Sequence, residues 1–299
     1  MYCKTKRVYN KGKKGGRRMK KKELNPQRIE KYKSWLIGEE KSKNTVEKYS
    51  RDIRAFYNYL PPDKEVTKLA VIGYKEYLCK RFAASSVNSM LTALNTFFAY
   101  AGWPECRVKL MKFQRHIFCE KAKELSKAEY VRLLQAARKK ENHRLALLIE
   151  TICATGIRVS ELRFITVEAV RMGRAEITGK GKRRVIFLAA KLCKSLRQYM
   201  GQEGIKTGYI FRTKSNNPLD RSNIWSSMKA LCREAGLEPG KVFPHNLRHL
   251  FARTFYSIDK DIARLADLLG HSSIETTRIY TISSGEEHIR KINRLGLII

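Results

Sequence analysis

The chain has 299 residues, room for two domains with apolar cores of their own. Lys and Arg number 62 against 28 Asp and Glu, a formal net charge of +34, and so large a surplus implies broad basic surfaces matched to a polyanion, nucleic acid first, with binding that falls steeply with salt. Seven scattered cysteines without a C-x-x-C pair argue against a disulfide framework or zinc site and for the reduced thiols of a cytosolic protein; no apolar run reaches membrane-spanning length, and no apolar signal segment follows the basic start.

Residues 1–22 carry eleven Lys or Arg and no acid. Such a block repels itself and reads as disordered when free, either as an arm that orders on DNA or as a solvated tail. Residues 23–103 read as a small helical domain. Leu24, Ile29, Tyr32 and Leu36 mark the apolar face of a first helix that ends at Gly38. Asn44 is the expected N-cap of a second helix carrying Val46, Tyr49, Ile53, Phe56 and Tyr57, which Pro61 and Pro62 stop. A third helix is expected from Val66 to Phe82. Ser85 is the expected cap of a fourth, with Val87, Met90, Leu91, Leu94, Phe97 and Phe98 turned inward. Basic outer faces (Lys41, Lys43, Lys48, Arg51, Arg54, Lys80, Arg81) suit a DNA-gripping module, and the aromatic residues suit its core. Residues 104–124 lose the periodicity and read as a basic interdomain linker lying near DNA.

A second domain is expected over 125–285. Ser126 and Glu129 fit a capping box that opens a helix running to about Arg138. Another helix should span His143 to Ala154, with Leu145, Leu147, Leu148 and Ile152 on its apolar side. Gly156 ends it, and a new helix begins near Arg158, where backbone N–H groups favour an anion. Ala175–Thr178 and Arg184–Leu188 flank GKGKR (Gly179 to Arg183), the pattern of a hairpin or a small three-stranded sheet with Lys180 at its tip. Helices are expected over Ala190–Met200 and Ser222–Ala235, with a short strand at Gly208–Phe211 between them. Pro244 opens the helix that carries His245, Arg248 and His249. Residues 286–299 form a tail with apolar Ile289, Ile292, Leu295, Leu297, Ile298 and Ile299.

ATGIRVSEL (Ala154 to Leu162), the GKGKR hairpin, PHNLRH (Pro244 to His249), LLGHSS (Leu268 to Ser273) and Tyr280, in this order, resemble the tyrosine recombinase (phage integrase) family, over roughly residues 123–285. With no large additional arm-binding domain in view, the chain is more similar to Xer-type or integron-type members than to large phage integrases. The resemblance implies a mainly α fold with a small β-sheet: a four-helix core-binding domain, then an α+β catalytic domain, the two clamped around duplex DNA. It implies strand cleavage and rejoining through a 3′-phosphotyrosyl intermediate, with Tyr280 as nucleophile. A phenol ionises only near pH 10 in water, so about three pH units of activation are needed. Arg158 and Arg248 would neutralise the non-bridging oxygens, where charge grows in the transition state. His245 would deprotonate Tyr280 or bond the phosphate, His271 would bond a non-bridging oxygen, and Lys180 would protonate the leaving 5′-oxygen, with Lys182 as its rival. Glu161 and His249 would support them.

No metal or other cofactor is implied. The expected partners are double-stranded DNA and three further copies in a homo-tetramer on two sites, with a partner recombinase or an accessory DNA-bending protein as further candidates. The expected location is the cytoplasm, at the nucleoid. The tail would dock on a neighbouring protomer or pack on its own domain. Competing readings are a type IB topoisomerase, an idle DNA-binding regulator and an RNA-binding protein.

Overall fold

The computed structural model describes residues 21–112, 123–179, 182–280, 289–290 and 292–295, with Lys182 through its backbone alone. Contacts divide the chain into two compact units, Met1–Arg115 and His116–Ile299. The expected basic arm, apart from Lys21 and Lys22, lies outside the described residues, as do Lys180 and much of the tail. The described residues of the tail, Ile289, Ile292 and Leu295 among them, are exposed.

The first unit is built on α1 (Pro26–Gly38), α2 (Lys43–Tyr59), α3 (Lys68–Cys79) and α4 (Ala84–Tyr100). Ile29, Tyr32 and Leu36 of α1 are buried against Ile53 and Phe56 of α2 and Leu91, Leu94, Phe97 and Phe98 of α4. The Tyr32 and Phe97 rings meet edge to face at 5.2 Å. Two caps differ from expectation. Ser42 caps α2, its hydroxyl accepting from the Thr45 N–H, so Asn44 falls inside the first turn. Helix α4 starts at Ala84 behind Ala83, without a side-chain cap, so Ser85 is already helical. Helix α3 is shorter at both ends than its apolar pattern, because Thr67 caps it and Lys80 ends it. Lys22, placed with the arm by composition, pairs instead through its carbonyl with the Val66 N–H at 2.7 Å, and Leu24 N–H reaches the Lys64 carbonyl at 3.0 Å.

The first part of the stretch read as linker is a strap seated on α3 and α4. The Asn95 amide both accepts from the Val108 N–H (2.9 Å) and donates to the Val108 carbonyl (2.8 Å). Asn88 does the same to Met111, at 2.8 and 2.9 Å. From the other side, Lys68 donates to the Arg107 carbonyl and Lys75 to the Lys109 carbonyl, the latter at 2.8 Å. The spacing is geometric: seven helical residues rise about 10.5 Å, and three extended residues span about 10 Å. Two turns of α4 therefore match the step from 108 to 111. Val108 is buried beneath the strap, while Arg107, Lys109 and Leu110 face solvent.

The second unit is organised on α6 (His143–Thr155), whose Leu145–Ile149 run, Thr151, Ile152 and Thr155 are all buried. A helix apolar nearly all round belongs at a domain centre, and α6 packs against α5 (Lys127–Lys139), α8 (Ala190–Gln202), α9 (Arg221–Ala230) and α11 (Pro244–Asp259). The Ser126 and Glu129 capping box is present in both directions. After α6 comes a 3-10 turn, Val159–Phe164, behind Arg158, then α7 (Val167–Met172). The antiparallel pair β1 (Arg174–Gly179) and β2 (Lys182–Phe187) sets Ala175 opposite Ile186 on the buried face. Gly208–Phe211 makes a single bridge, Thr166 to Tyr209, rather than a strand. The long helix expected to end at Ala235 is divided at Leu231, whose N–H bonds back to the Met228 carbonyl, into α9 and α10 (Cys232–Ala235). Helices α11, α12 (Ile262–Leu269) and α13 (Ile274–Arg278) close the unit around Ala252, Leu265, Leu269 and Tyr280.

Removing both strap anchors, Asn88→Ala with Asn95→Ala, leaves four backbone groups without partners, at about 1 kcal/mol each. Limited trypsin digestion read by mass spectrometry should show cleavage after Arg107 and Lys109 at least tenfold faster than in the unaltered protein, with the helices of the first unit still resistant.

Candidate active site

Two helix C-termini and the start of a third helix build the site. Helix α6 ends at Gly156 in the left-handed conformation (φ +64°), and α12 ends at Gly270 (φ +63°). Both positions need glycine twice over. A Cβ on Gly156 would lie 2.3 Å from the Phe251 ring, and one on Gly270 would lie 2.5 Å from the Arg184 guanidinium. At α12 the turn is closed by His271 N–H on the Ala266 carbonyl at 3.0 Å, which fixes His271 just past the helix. The third element is α11, which opens with Pro244 behind the extended Phe243. His245, Arg248 and His249 stand three and four residues apart, on one face of its first turns.

Arg248 is 1% exposed. It donates from Nη1 to the Gly156 carbonyl (2.5 Å), and from Nη2 to the Leu269 carbonyl (2.7 Å) and to His271 Nε2 (2.9 Å). Both carbonyls belong to helix C-termini, the ends that carry partial negative charge. Among the described residues it forms no ion pair. Burial, then the neighbouring Arg158, push its pKa down to about 10, while the Tyr280 hydroxyl acts in the opposite sense.

Arg158 is more exposed and reaches the next carbonyl of the same turn, that of Gly270, at 3.3 Å. Its backbone N–H and its Nη1 both donate to Glu161, at 2.8 and 2.9 Å. Glu161 also accepts from Arg184 of β2 at 2.6 Å, and Arg184 donates to the Leu268 carbonyl at 3.2 Å. Glu161 thus spans two guanidiniums, and Arg184 ties the hairpin strand to the end of α12. Arg184 was not singled out from sequence. Its partner lies 23 residues back on a different element, and an arginine in a basic hairpin carries no local mark of burial.

Tyr280 lies two residues past the end of α13 and is 3% exposed. Its ring lies 4.5 Å edge to face from His249, 5.8 Å stacked on His271 and 6.5 Å from His245. The rings of His245 and His249 meet at 4.7 Å. His271 Nδ1 is 2.9 Å from the hydroxyl of Thr277, a fully buried residue that sequence reasoning also passed over. Of the residues expected from sequence, Arg158, Glu161, His245, Arg248, His249, His271 and Tyr280 are brought together. Lys180 lies outside the described residues, and Lys182 is described through its backbone alone. Tyr256, the other tyrosine near these motifs, packs against the small cluster of α11 and α12. No group of three His, Cys, Asp or Glu among the described residues is placed to hold a metal ion, and no helix among them is long and apolar enough to cross a membrane.

The fold is that of integrases. A lambda integrase dimer bound to a core site superposes with a TM-score of 0.69 over 85% of this chain and 76% of its own, at 20% identity, a likeness of fold alone. A XerA recombinase crystal structure matches at 25% identity and a TM-score of 0.51, over 91% of this chain and 99% of its own. In sequence, the tyrosine recombinase XerA of Thermococcus kodakarensis is 30% identical over 91% of this chain and 95% of its own, and that of Pyrococcus furiosus 28% identical over 94% and 98%. The family model for phage integrases matches residues 123–287, and that for the phage integrase N-terminal SAM-like domain matches residues 29–104. The chain belongs to the phage integrase family: it is a tyrosine recombinase.

Burial first, then Arg248 beside His271 and the His245 imidazole with Arg248 beside His249, lowers both imidazoles to about 4 from the ordinary 6.5. The unfolded chain therefore binds more protons than the folded one between those values, and stability must fall as the pH drops from 6.5 towards 4. Imidazole NMR titration should find both histidines neutral at pH 6 and half protonated near pH 4. The urea midpoint should decline over the same interval, because each added proton sits beside a fixed guanidinium.

Proposed function

We propose that this protein is a site-specific DNA recombinase that cuts and rejoins duplex DNA through a 3′-phosphotyrosyl intermediate on Tyr280, as four copies on two sites. The observation that carries the reading is Arg248: a guanidinium at the floor of the site, held by neutral acceptors and without an ion pair among the described residues. A cation kept in such a place is poised for an anion brought by the substrate. Arg158, one carbonyl along, supplies the second charge. A phosphodiester seated between them gains negative charge on its non-bridging oxygens as the fifth bond forms, and fixed cations stabilise that state more than the ground state.

In the proposed step the Tyr280 oxygen bonds to phosphorus as the 5′-oxygen leaves. The phenol proton passes to a neutral histidine, His245 in the first instance, and Lys180 gives a proton to the departing oxygen. The reverse sequence rejoins a strand, with the bond energy kept in the ester. Neutral His245 and His249 suit acceptance of a proton, since burial with charged or imidazole neighbours lowers both. The DNA partner follows the family and the net charge of +34. The four-copy assembly follows integrase structures such as a lambda integrase tetramer on a Holliday junction. The enzyme would work in the cytoplasm at the nucleoid. Two compact units, with a basic strap on the first, fit the proposed division into a gripping domain and a catalytic domain.

Quenching the protein with fragments of its genomic neighbourhood in SDS should leave DNA covalently attached. Tyr280→Phe should abolish the adduct while duplex binding changes less than about threefold and keeps its steep salt dependence. Arg248→Ala should lower the cleavage rate at least a hundredfold, on the scale of losing one preorganised donor. An adduct that survives in Tyr280→Phe would place the nucleophile elsewhere.

A further inference from the structure

We propose that Thr277 is the positioning residue for His271: its hydroxyl accepts from Nδ1–H and so keeps the Nε2 lone pair on Arg248, the guanidinium proposed to meet the phosphate. The inference rests on the function proposed above, but the geometry behind it is independent of catalysis. A guanidinium has donors and no acceptor. Its Nη2 lies 2.9 Å from His271 Nε2, so Nε2 must be the accepting nitrogen. A neutral imidazole with an accepting Nε2 carries its proton on Nδ1, and that atom lies 2.9 Å from Thr277 Oγ1. The hydroxyl is therefore the acceptor in this pair, and one tautomer satisfies both contacts. The other would set Nε2–H against a guanidinium N–H and leave Nδ1 with only the hydroxyl as donor.

The arrangement is built into the fold. Thr277 is fully buried on α13, which Ser273 caps, while the His271 N–H is fixed on the Ala266 carbonyl. The residue thus has its backbone anchored at one end and its ring Nδ1 anchored on a residue six positions later, one turn before Tyr280. The groups that bear on it are Arg248 and His245 of α11, Arg158, and Arg184 of β2, each of which disfavours the imidazolium. Burial first and these neighbours second keep the ring neutral, and Thr277 decides which edge of the neutral ring is the lone pair. With Nδ1–H held on Thr277, the Nε2 lone pair stays on the guanidinium and keeps Arg248 aimed, while the phenol proton passes to His245 as proposed above.

The test is the tautomer itself, read by long-range 15N–1H correlation in full-length protein at pH 7. The unaltered protein should show Nδ1 protonated and Nε2 bare at His271. Thr277→Val, of nearly the same shape, should shift the ring to Nε2–H or a mixture and slow SDS-trapped cleavage on the order of tenfold to a hundredfold, as loss of an orienting partner does, with DNA binding unchanged. Thr277→Ser should restore both. Nε2–H in the unaltered protein, an unchanged tautomer in Thr277→Val, or a Thr277→Ser protein as slow as Thr277→Val would each overturn the proposal. If Thr277→Val fails to fold, the first measurement and the serine variant still decide it. Failure of the reading of Tyr280 as nucleophile would show instead as a normal tautomer in a protein that forms no Tyr280 adduct.

Discussion

A buried arginine that holds two helices by their carbonyl ends is the constraint on which the second unit depends. Arg248 bonds the last carbonyl region of α6 and that of α12, and its remaining reach goes to the histidine beyond α12. Without it, two negative helix ends would face each other across a dry interior. With it, they are bridged by a cation whose own burial is tolerable because it is hydrogen-bonded on all these sides. The same group that fastens the domain is the one proposed to meet the phosphate, so the fold and the chemistry draw on one charge.

This explains why the site sits where glycines end helices. A carbonyl aimed sideways at a guanidinium requires the chain to leave the helix at once, and the left-handed residue at Gly156 or Gly270 does that. Neither position has room for a methyl group, because Phe251 and Arg184 occupy the space. The tight turns also bring the Leu269 and Gly270 carbonyls within reach of two different arginines, Arg248 and Arg158. Glu161 then balances Arg158 and Arg184 together, leaving Arg248 as the group with least compensation.

Much of this was legible in the residues and some was not, for physical reasons. Cap chemistry is local, so the Ser126 and Glu129 box was readable outright, while at α2 Asn44 was read as the cap and Ser42, two residues earlier, takes that place. The central helix was visible by its apolar side, Leu145, Leu147, Leu148 and Ile152, but its burial on further sides depended on α5, α8, α9 and α11. The motif residues around His245, Arg248, His271 and Tyr280 stood out by type and order. Arg184 and Thr277 did not, because each gains its role from a partner that folding brings to it. The strap was read as linker because its own side chains have no periodicity; the bonds that hold it come from Asn88 and Asn95 on α4 and from lysines on α3.

That strap is recognised almost wholly through its main chain, and this has an evolutionary meaning. Val108 and Met111 must keep an N–H, which bars proline there, and a buried side chain is wanted at 108. Positions 107, 109 and 110 contribute only carbonyls or nothing to the seat. Their side chains can drift, or be selected for other ends, without loosening the segment. Sequence change within a lineage should therefore concentrate on the strap and spare the asparagines beneath it, the reverse of what a ligand with a fixed receptor would show.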